Sequence, residues 1–239
     1  MKFLLSILFL TFCTQVWAQK DSVYNFDGFF RRIRNVGHTM YTGVVKNYNG
    51  SNYEVEFFNL DGSRVAFGEY KNRRLRKRNG VFVRYNSEER IVLSANYRNG
   101  LMHGRFMRFY ENGQIADSGA LKYGTNIGTW KHWYENGQIQ EIQRISNNSN
   151  YRFGLRDKEY MSLYPNGQLK DSGYYKKGRK TGIWLEYLEG GEIKSIGEYR
   201  RDWKEGLWKF FDTRGRLLYM RRYSRFNYDD QGTLVQVNR

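Results

Sequence analysis

One stretch returns three times in this chain. Gly104–Ile115 reads GRFMRFYENGQI, Gly128–Ile139 reads GTWKHWYENGQI and Lys158–Leu169 reads KEYMSLYPNGQL. Repetition constrains a fold more than composition does, because each repeat is one small unit that covers its apolar face only by stacking on its neighbours. Extending the register gives unit starts at Tyr53, Gly80, Gly104, Gly128, Lys158, Gly182 and Gly206. Four of the six spacings are 24 residues; the others are 27 after Tyr53 and 30 after Gly128. With each start as slot 0, slots 2, 5 and 17 are apolar or aromatic in all seven units. Slot 2, for example, holds Val55, Phe82, Phe106, Trp130, Tyr160, Trp184 and Trp208.

Turn residues recur with the same period. Slot 9 is Gly62, Gly113, Gly137, Gly167, Gly191 and Gly215, with Glu89 the exception. Asn-Gly precedes the second half of three units and tolerates the positive φ of a tight hairpin turn. A second turn follows about eleven residues on, at Asn99-Gly100, Tyr123-Gly124 and Lys177-Gly178. Each unit therefore reads as two strands and two turns, rich in Tyr and Trp as strands are. The single Pro fits, since Pro cannot donate to a sheet ladder. Slots 2 and 5 have opposite parity, so either a bulge intervenes or aromatics cover both faces. The expected fold is all-β: an elongated antiparallel array of β-hairpins, about seven 24-residue units and roughly 65–70 Å long at about 4.8 Å per strand.

The first eighteen residues read differently. Lys2 precedes an apolar run, Phe3 to Phe12, and Val16-Trp17-Ala18 offers the small side chains of a cleavage site. The run is short for a membrane span, which takes about 20 residues. A signal peptide cut after Ala18 is expected, hence a secreted or periplasmic protein of the bacterial cell envelope; a lipoprotein cut before Cys13 is the competing form. No later stretch is apolar enough to span. Cleavage removes the sole Cys and leaves a formal charge of +15 in place of +16. Disulfides, Cys-based metal sites and thiol chemistry are then excluded. The expected organisation is residues 1–18 signal peptide, 19–52 an N-terminal cap with a first strand, 53–225 the array and 226–239 a C-terminal cap.

These repeats resemble the bacterial variant of the MORN (membrane occupation and recognition nexus) repeat. The resemblance rests on Gly-x-Trp/Phe-x-x-Phe/Trp-Tyr-Glu-Asn-Gly-Gln-Ile/Leu, the later Ser-Gly-x-Tyr of Asp171–Tyr175, and the opening Tyr41–Tyr48. It covers roughly residues 41–230 and departs at Glu88-Glu89, at Lys158 and after Arg221. It implies the hairpin array and a role in scaffolding or membrane association; many relatives are labelled antitoxins. No catalytic domain is left over.

Chemistry is sparse. His103 shares its slot with Asn79, Ile127, Asp157, Thr181 and Glu205; His132 shares its slot with Phe57, Arg84, Arg108, Ser162, Glu186 and Phe210. Slots that vary this freely point to surface variants rather than catalytic bases, and His38 has no partner nearby. The glycines fill turns and form no phosphate-binding loop. No enzyme activity, catalytic residue, metal or cofactor is expected. Trp130, Trp184 and Trp208, sharing one slot, read as stacking between hairpins, the alternative being an exposed aromatic ladder for glycan or lipid.

Function is sought where the repeat breaks. The three-residue expansion in the first unit holds Lys71, Arg73, Arg74, Arg76, Lys77 and Arg78, a candidate contact for an acidic protein or an anionic lipid or lipopolysaccharide surface. Its competing reading is a solvated loop. Nucleic acid suits the charge, but secretion argues against it. A second break at Asn147–Arg156 reads equally as a recognition loop or a tolerated insertion, and a basic cluster near the C-terminus, Arg214, Arg216, Arg221, Arg222 and Arg225, reads as capping as much as binding. The expected function is a secreted, non-enzymatic scaffold binding a protein or anionic partner; the alternative is an antitoxin- or immunity-like protein neutralising a toxic partner.

Overall fold

The structure, a computed structural model, describes residues 22–34, 36–47, 52–146, 155–224, 227–228 and 234–235. The expected signal peptide and most of the 147–156 expansion lie outside these residues, as does Arg225.

Three elements precede the repeats: β1 (Ser22–Phe26), the two-residue β2 (Arg32–Ile33) and β3 (Tyr41–Asn47), with a 3₁₀ turn at Val36–His38. Seven hairpins follow. The first three are β4 (Tyr53–Phe58) with β5 (Arg64–Tyr70), β6 (Arg78–Tyr85) with β7 (Ile91–Arg98), and β8 (Leu101–Phe109) with β9 (Ile115–Lys122). Then come β10 (Thr125–Trp133) with β11 (Ile139–Ser146), and β12 (Leu155–Leu163) with β13 (Leu169–Lys176). The last two are β14 (Arg179–Tyr187) with β15 (Ile193–Arg200), and β16 (Trp203–Phe211) with β17 (Leu217–Tyr223). From β3 to β17 each strand pairs antiparallel with the next, while β1 pairs with both β2 and β3. The result is one open 17-stranded sheet. A separate two-residue pairing joins β18 (Asn227–Tyr228) and β19 (Leu234–Val235). No helix among the described residues is long and apolar enough to cross a membrane.

The hairpin turns differ from the sequence expectation in one respect. In the YENGQ turns the glycine at slot 9 takes positive φ, but the preceding asparagine does not. Asn112 instead uses its side chain: Oδ1 accepts from Gln114 N at 2.9 Å, and Nδ2 donates to Glu135 O of the next unit at 3.0 Å. Asn136 and Asn166 repeat both bonds. Asparagine is there as a staple between units, not for its φ. The paired positive-φ residues of a two-residue turn occur at the second reversal, at Asn99-Gly100, Tyr123-Gly124 and Lys177-Gly178, and at Arg201-Asp202 without glycine. Two of the departures from the repeat, Glu89 (φ 57°) and Lys158 (φ 73°), occupy the left-handed conformations that glycine holds in other units.

Parity is resolved by both faces being covered. Every hairpin carries a bulge opposite slots 4 and 5, on the returning strand. The first strand runs on unbroken from slot 2, so slots 2 and 4 share one face and slot 5 takes the other. Accordingly Trp208 and Phe210 lie in one cluster, while Tyr187, Trp133 and Phe211 at slot 5 are half-buried on the opposite side.

The aromatic stack at slot 2 works through a small residue opposite. A Cβ on Gly119, Gly173 or Gly197 (slot 15) would lie 2.2–2.3 Å from the indole of Trp130, Trp184 or Trp208 in the next unit. These rings lie flat on glycine backbone, which is how Trp184 and Trp208 reach zero exposure in a single sheet. Tyr160, Tyr175 and Tyr199 surround Trp184 at centroid distances of 5.6, 5.2 and 5.9 Å. At the N-terminal end the face is covered instead by chain: Phe26, Phe30 and Leu75 pack over Val55, Phe57 and Phe82.

Candidate functional site

The basic loop, residues 71–77, joins β5 to β6. Leu75, at φ 51°, turns inward and is 1% exposed, anchoring the loop in the core. Asn72 accepts Leu75 N at its carbonyl (3.0 Å) and Arg74 N at Oδ1 (3.2 Å), closing a turn around that anchor. With Leu75 held inward, Arg74 and Arg76 on either side are exposed.

They meet two arginines that the sequence argument passed over. Arg32 and Arg34 join Arg74 and Arg76 in lining a cleft of about 610 Å³, with no acidic side chain among its described lining residues. Arg32 is fixed there: its guanidinium lies 3.5 Å from the Tyr24 ring centroid and donates to Arg73 O at 3.4 Å. Tyr24 registers the local field. Burial works to raise its pKa, but hydrogen bonds from Ser22 and Arg73 and the charges of Arg32 and Arg73 prevail, so the hydroxyl ionises below the ordinary value of 10.0. The run Arg31-Arg32-x-Arg34 was the available signal, some forty residues away in sequence.

The structure divides the six expected binding residues. Lys71, Arg73, Arg74, Arg76 and Lys77 are exposed, with Arg74 and Arg76 in the cleft. Arg78 is elsewhere. It opens β6, stacks 3.7 Å over the Phe82 ring, and donates to Tyr97 Oη (3.2 Å) and Phe29 O (3.1 Å). Its place is two residues before a unit start, shared with Arg156, Lys180 and Lys204. Lys180 and Lys204 sit 4.0 Å over Trp184 and Trp208, and Arg156 lies 5.3 Å over Tyr160. Arg78 thus belongs to a recurrent cation lid on the slot 2 aromatics.

His132 also differs from expectation. It is half-buried in a polar row where slots 4 and 13 pair across the sheet. The Asp117 carboxylate bonds both Arg108 Nε and His132 Nδ1. His132 Nε2 meets the Gln143 amide nitrogen at 3.0 Å, and Arg156 holds that amide oxygen at 2.5 Å and Glu141 at 3.1 Å. Through its two ring nitrogens the imidazole bridges side chains from four strands, β9 to β12. Among the described residues no three His, Cys, Asp or Glu side chains converge as metal ligands.

Comparison with known proteins agrees with the repeat register. Residues 102–118, 127–147, 156–177 and 180–201 match the MORN repeat variant. No curated protein matches the chain. MORN repeats form a non-catalytic family and are generally protein- or membrane-binding motifs.

Proposed function

We propose that this chain is a secreted, non-enzymatic repeat scaffold that binds an acidic protein or an anionic lipid or lipopolysaccharide surface at the cell envelope. The Arg32–Arg34–Arg74–Arg76 cleft would be its anion-binding point. The single observation behind this reading is the convergence of four arginines from two distant segments into one cleft with no acidic side chain among its described lining residues. Four like charges held together repel one another, and an anion in the cleft relieves that repulsion while accepting the forked guanidinium donors. The apolar leader at residues 3–12 supports the secreted state.

The test replaces Arg74 and Arg76 with Ser and leaves Arg78 in place. Wild type is expected to sediment with vesicles containing anionic lipid at low salt, or to capture an acidic protein from envelope extracts, and to release either at high salt. The variant should lose both. Retention of both by a folded variant would overturn the proposal. A captured partner that is toxic alone and harmless when co-expressed would make the protein immunity-like.

A further inference from the structure

In a meander, alternate turns fall on opposite edges of the sheet. The YENGQ-type turns form one edge. Among the described residues, the loop 71–77 and the turns at 99–100, 123–124, 177–178 and 201–202 form the other. The two edges carry opposite charge. Residues 59–63, 86–90, 110–114, 134–138, 164–168, 188–192 and 212–216 hold eight carboxylates, Glu111 and Glu135 among them, against three arginines. On the other edge, residues 71–77, 98–100, 122–124, 176–179 and 200–202 hold twelve Lys and Arg against Asp202 alone.

That basic edge contains a second cleft. Lys176, Lys177, Arg179, Arg200 and Arg201, with Leu155, line a space of about 690 Å³. Of these, Arg200 keeps an exposed ion pair with Glu205 at 3.2 Å, a contact of small energetic weight. Eight strands, β6 to β13, separate this cleft from the four-arginine cleft, which places the two about 40 Å apart at about 4.8 Å per strand. Arg98 and Lys122 lie between them, one per turn. Two large aromatics are exposed on the same edge: Tyr123 (49%) between the clefts and Trp203 (52%) beside the second.

We propose that the basic edge binds a linear acidic polysaccharide that spans both clefts. The proposal rests on the first cleft being an anion site, as above, and adds a second site and a ligand class. A polymer is favoured over a bilayer by geometry: adjacent strands rotate by about 20°, so a row of turns eight strands long follows a curved path that a flexible chain can track and a plane cannot. A sugar chain is favoured over a bare polyanion by the half-exposed rings of Trp203 and of Tyr123, the latter backed by His103 at 4.6 Å, which offer the apolar stacking surface that pyranose C–H groups use. Filling two linked sites makes the second event intramolecular and raises affinity by about 10²–10⁴ over one site.

Labelled oligogalacturonates of defined length are the probe, one set shorter and one longer than the cleft separation, with fluorescence anisotropy as readout. Wild type should bind the long oligomers at least about tenfold tighter than the short. The variant Lys177→Asn/Arg179→Ser/Arg201→Asn, with asparagine at the two positive-φ positions, should erase that length dependence while short oligomers still bind the first cleft. Arg74→Ser/Arg76→Ser should likewise erase it and separately lower short-oligomer binding at the first cleft. Trp203→Ala should weaken long oligogalacturonate and leave long-chain polyphosphate unchanged. Equal affinity for short and long oligomers in wild type, or no effect of the triple substitution, would overturn the two-cleft proposal without touching the first cleft. Equal or tighter binding of polyphosphate would overturn the sugar assignment. Vesicles that bind tighter than the long oligomer and depend on both clefts would assign the edge to a bilayer instead.

Discussion

Alanine at Gly173 tests the stacking principle directly. The position has ordinary strand φ, so Ala is free of backbone strain there, and by chain entropy alone Gly→Ala should stabilise by about 0.4–1 kcal/mol. The new Cβ, however, would lie 2.2, 2.3 and 2.6 Å from three atoms of the Trp184 indole. An ordinary carbon contact near 3.5 Å requires the ring to retreat by about 1.3 Å. It has nowhere to go: Trp184 is 0% exposed, boxed in by Tyr160, Tyr175 and Tyr199, covered by Lys180, and tied through Nε1 to Tyr174 O at 3.3 Å. Overpacking of this kind costs about 1–3 kcal/mol, so Gly173→Ala should be destabilising by about 1–2 kcal/mol net of the entropy gain. Urea unfolding followed by tryptophan fluorescence would read this as a lower midpoint. Gly28→Ala is the matched control; its nearest neighbour is Met40 Cγ at 3.9 Å, and it should be neutral or slightly stabilising. In a Trp184→Leu background, which leaves room, the Gly173→Ala penalty should shrink by at least about 1 kcal/mol. A Gly173→Ala protein as stable as wild type, or an unchanged penalty in the Leu background, would refute the reasoning.

Three further outcomes follow from the same contacts. Glu89→Gly should raise stability by about 0.5–1 kcal/mol, measured by urea midpoint, because Glu89 holds a left-handed φ of 57° that glycine takes without strain. Arg78→Ala should lower stability by about 1–3 kcal/mol through loss of its stacking and hydrogen bonds, whereas Arg74→Ala should stay within about 0.5 kcal/mol; matched thermal melts distinguish them. Burial raises the pKa of Tyr70, Tyr160, Tyr175 and Tyr199 above 10.0, with nearby Glu141 and Asp171 adding to the effect at Tyr160. A raised folded pKa stabilises fully below the unfolded value and is lost as pH rises through it. These four tyrosines should therefore make stability fall as pH rises above about 10, while Tyr24, shifted the other way, ionises before them by ultraviolet absorbance.

The hairpin array and its unit boundaries were legible in the residues because turn and strand signals are local. A glycine every 24 residues, or an aromatic two places after each start, says the same thing in each unit. The same logic read His132 as a surface variant from the free variation of its slot and did not see the partners that half-bury it. In the middle units the slot finds cross-strand partners, Asp117 and Gln143 for His132, Asp171 for Ser162 and Ser195 for Glu186, whereas Phe57 and Phe210 fill it with apolar rings. Asn112, Asn136 and Asn166 were rightly placed in turns but for a reason that concerns the neighbouring unit.

Periodicity alone was enough for the order of strands, the direction of each reversal and the slots that carry the stack, since each depends on residues within one unit or the next. The fates of the arginines were not readable that way. Arg78 and Arg76 are two residues apart in one basic run, yet one covers Phe82 and the other lines a cleft with Arg32 and Arg34. The cations two residues before the unit starts follow the repeat, but Arg32, Arg34, Arg74 and Arg76 do not; they become a site only when the fold brings the two segments side by side.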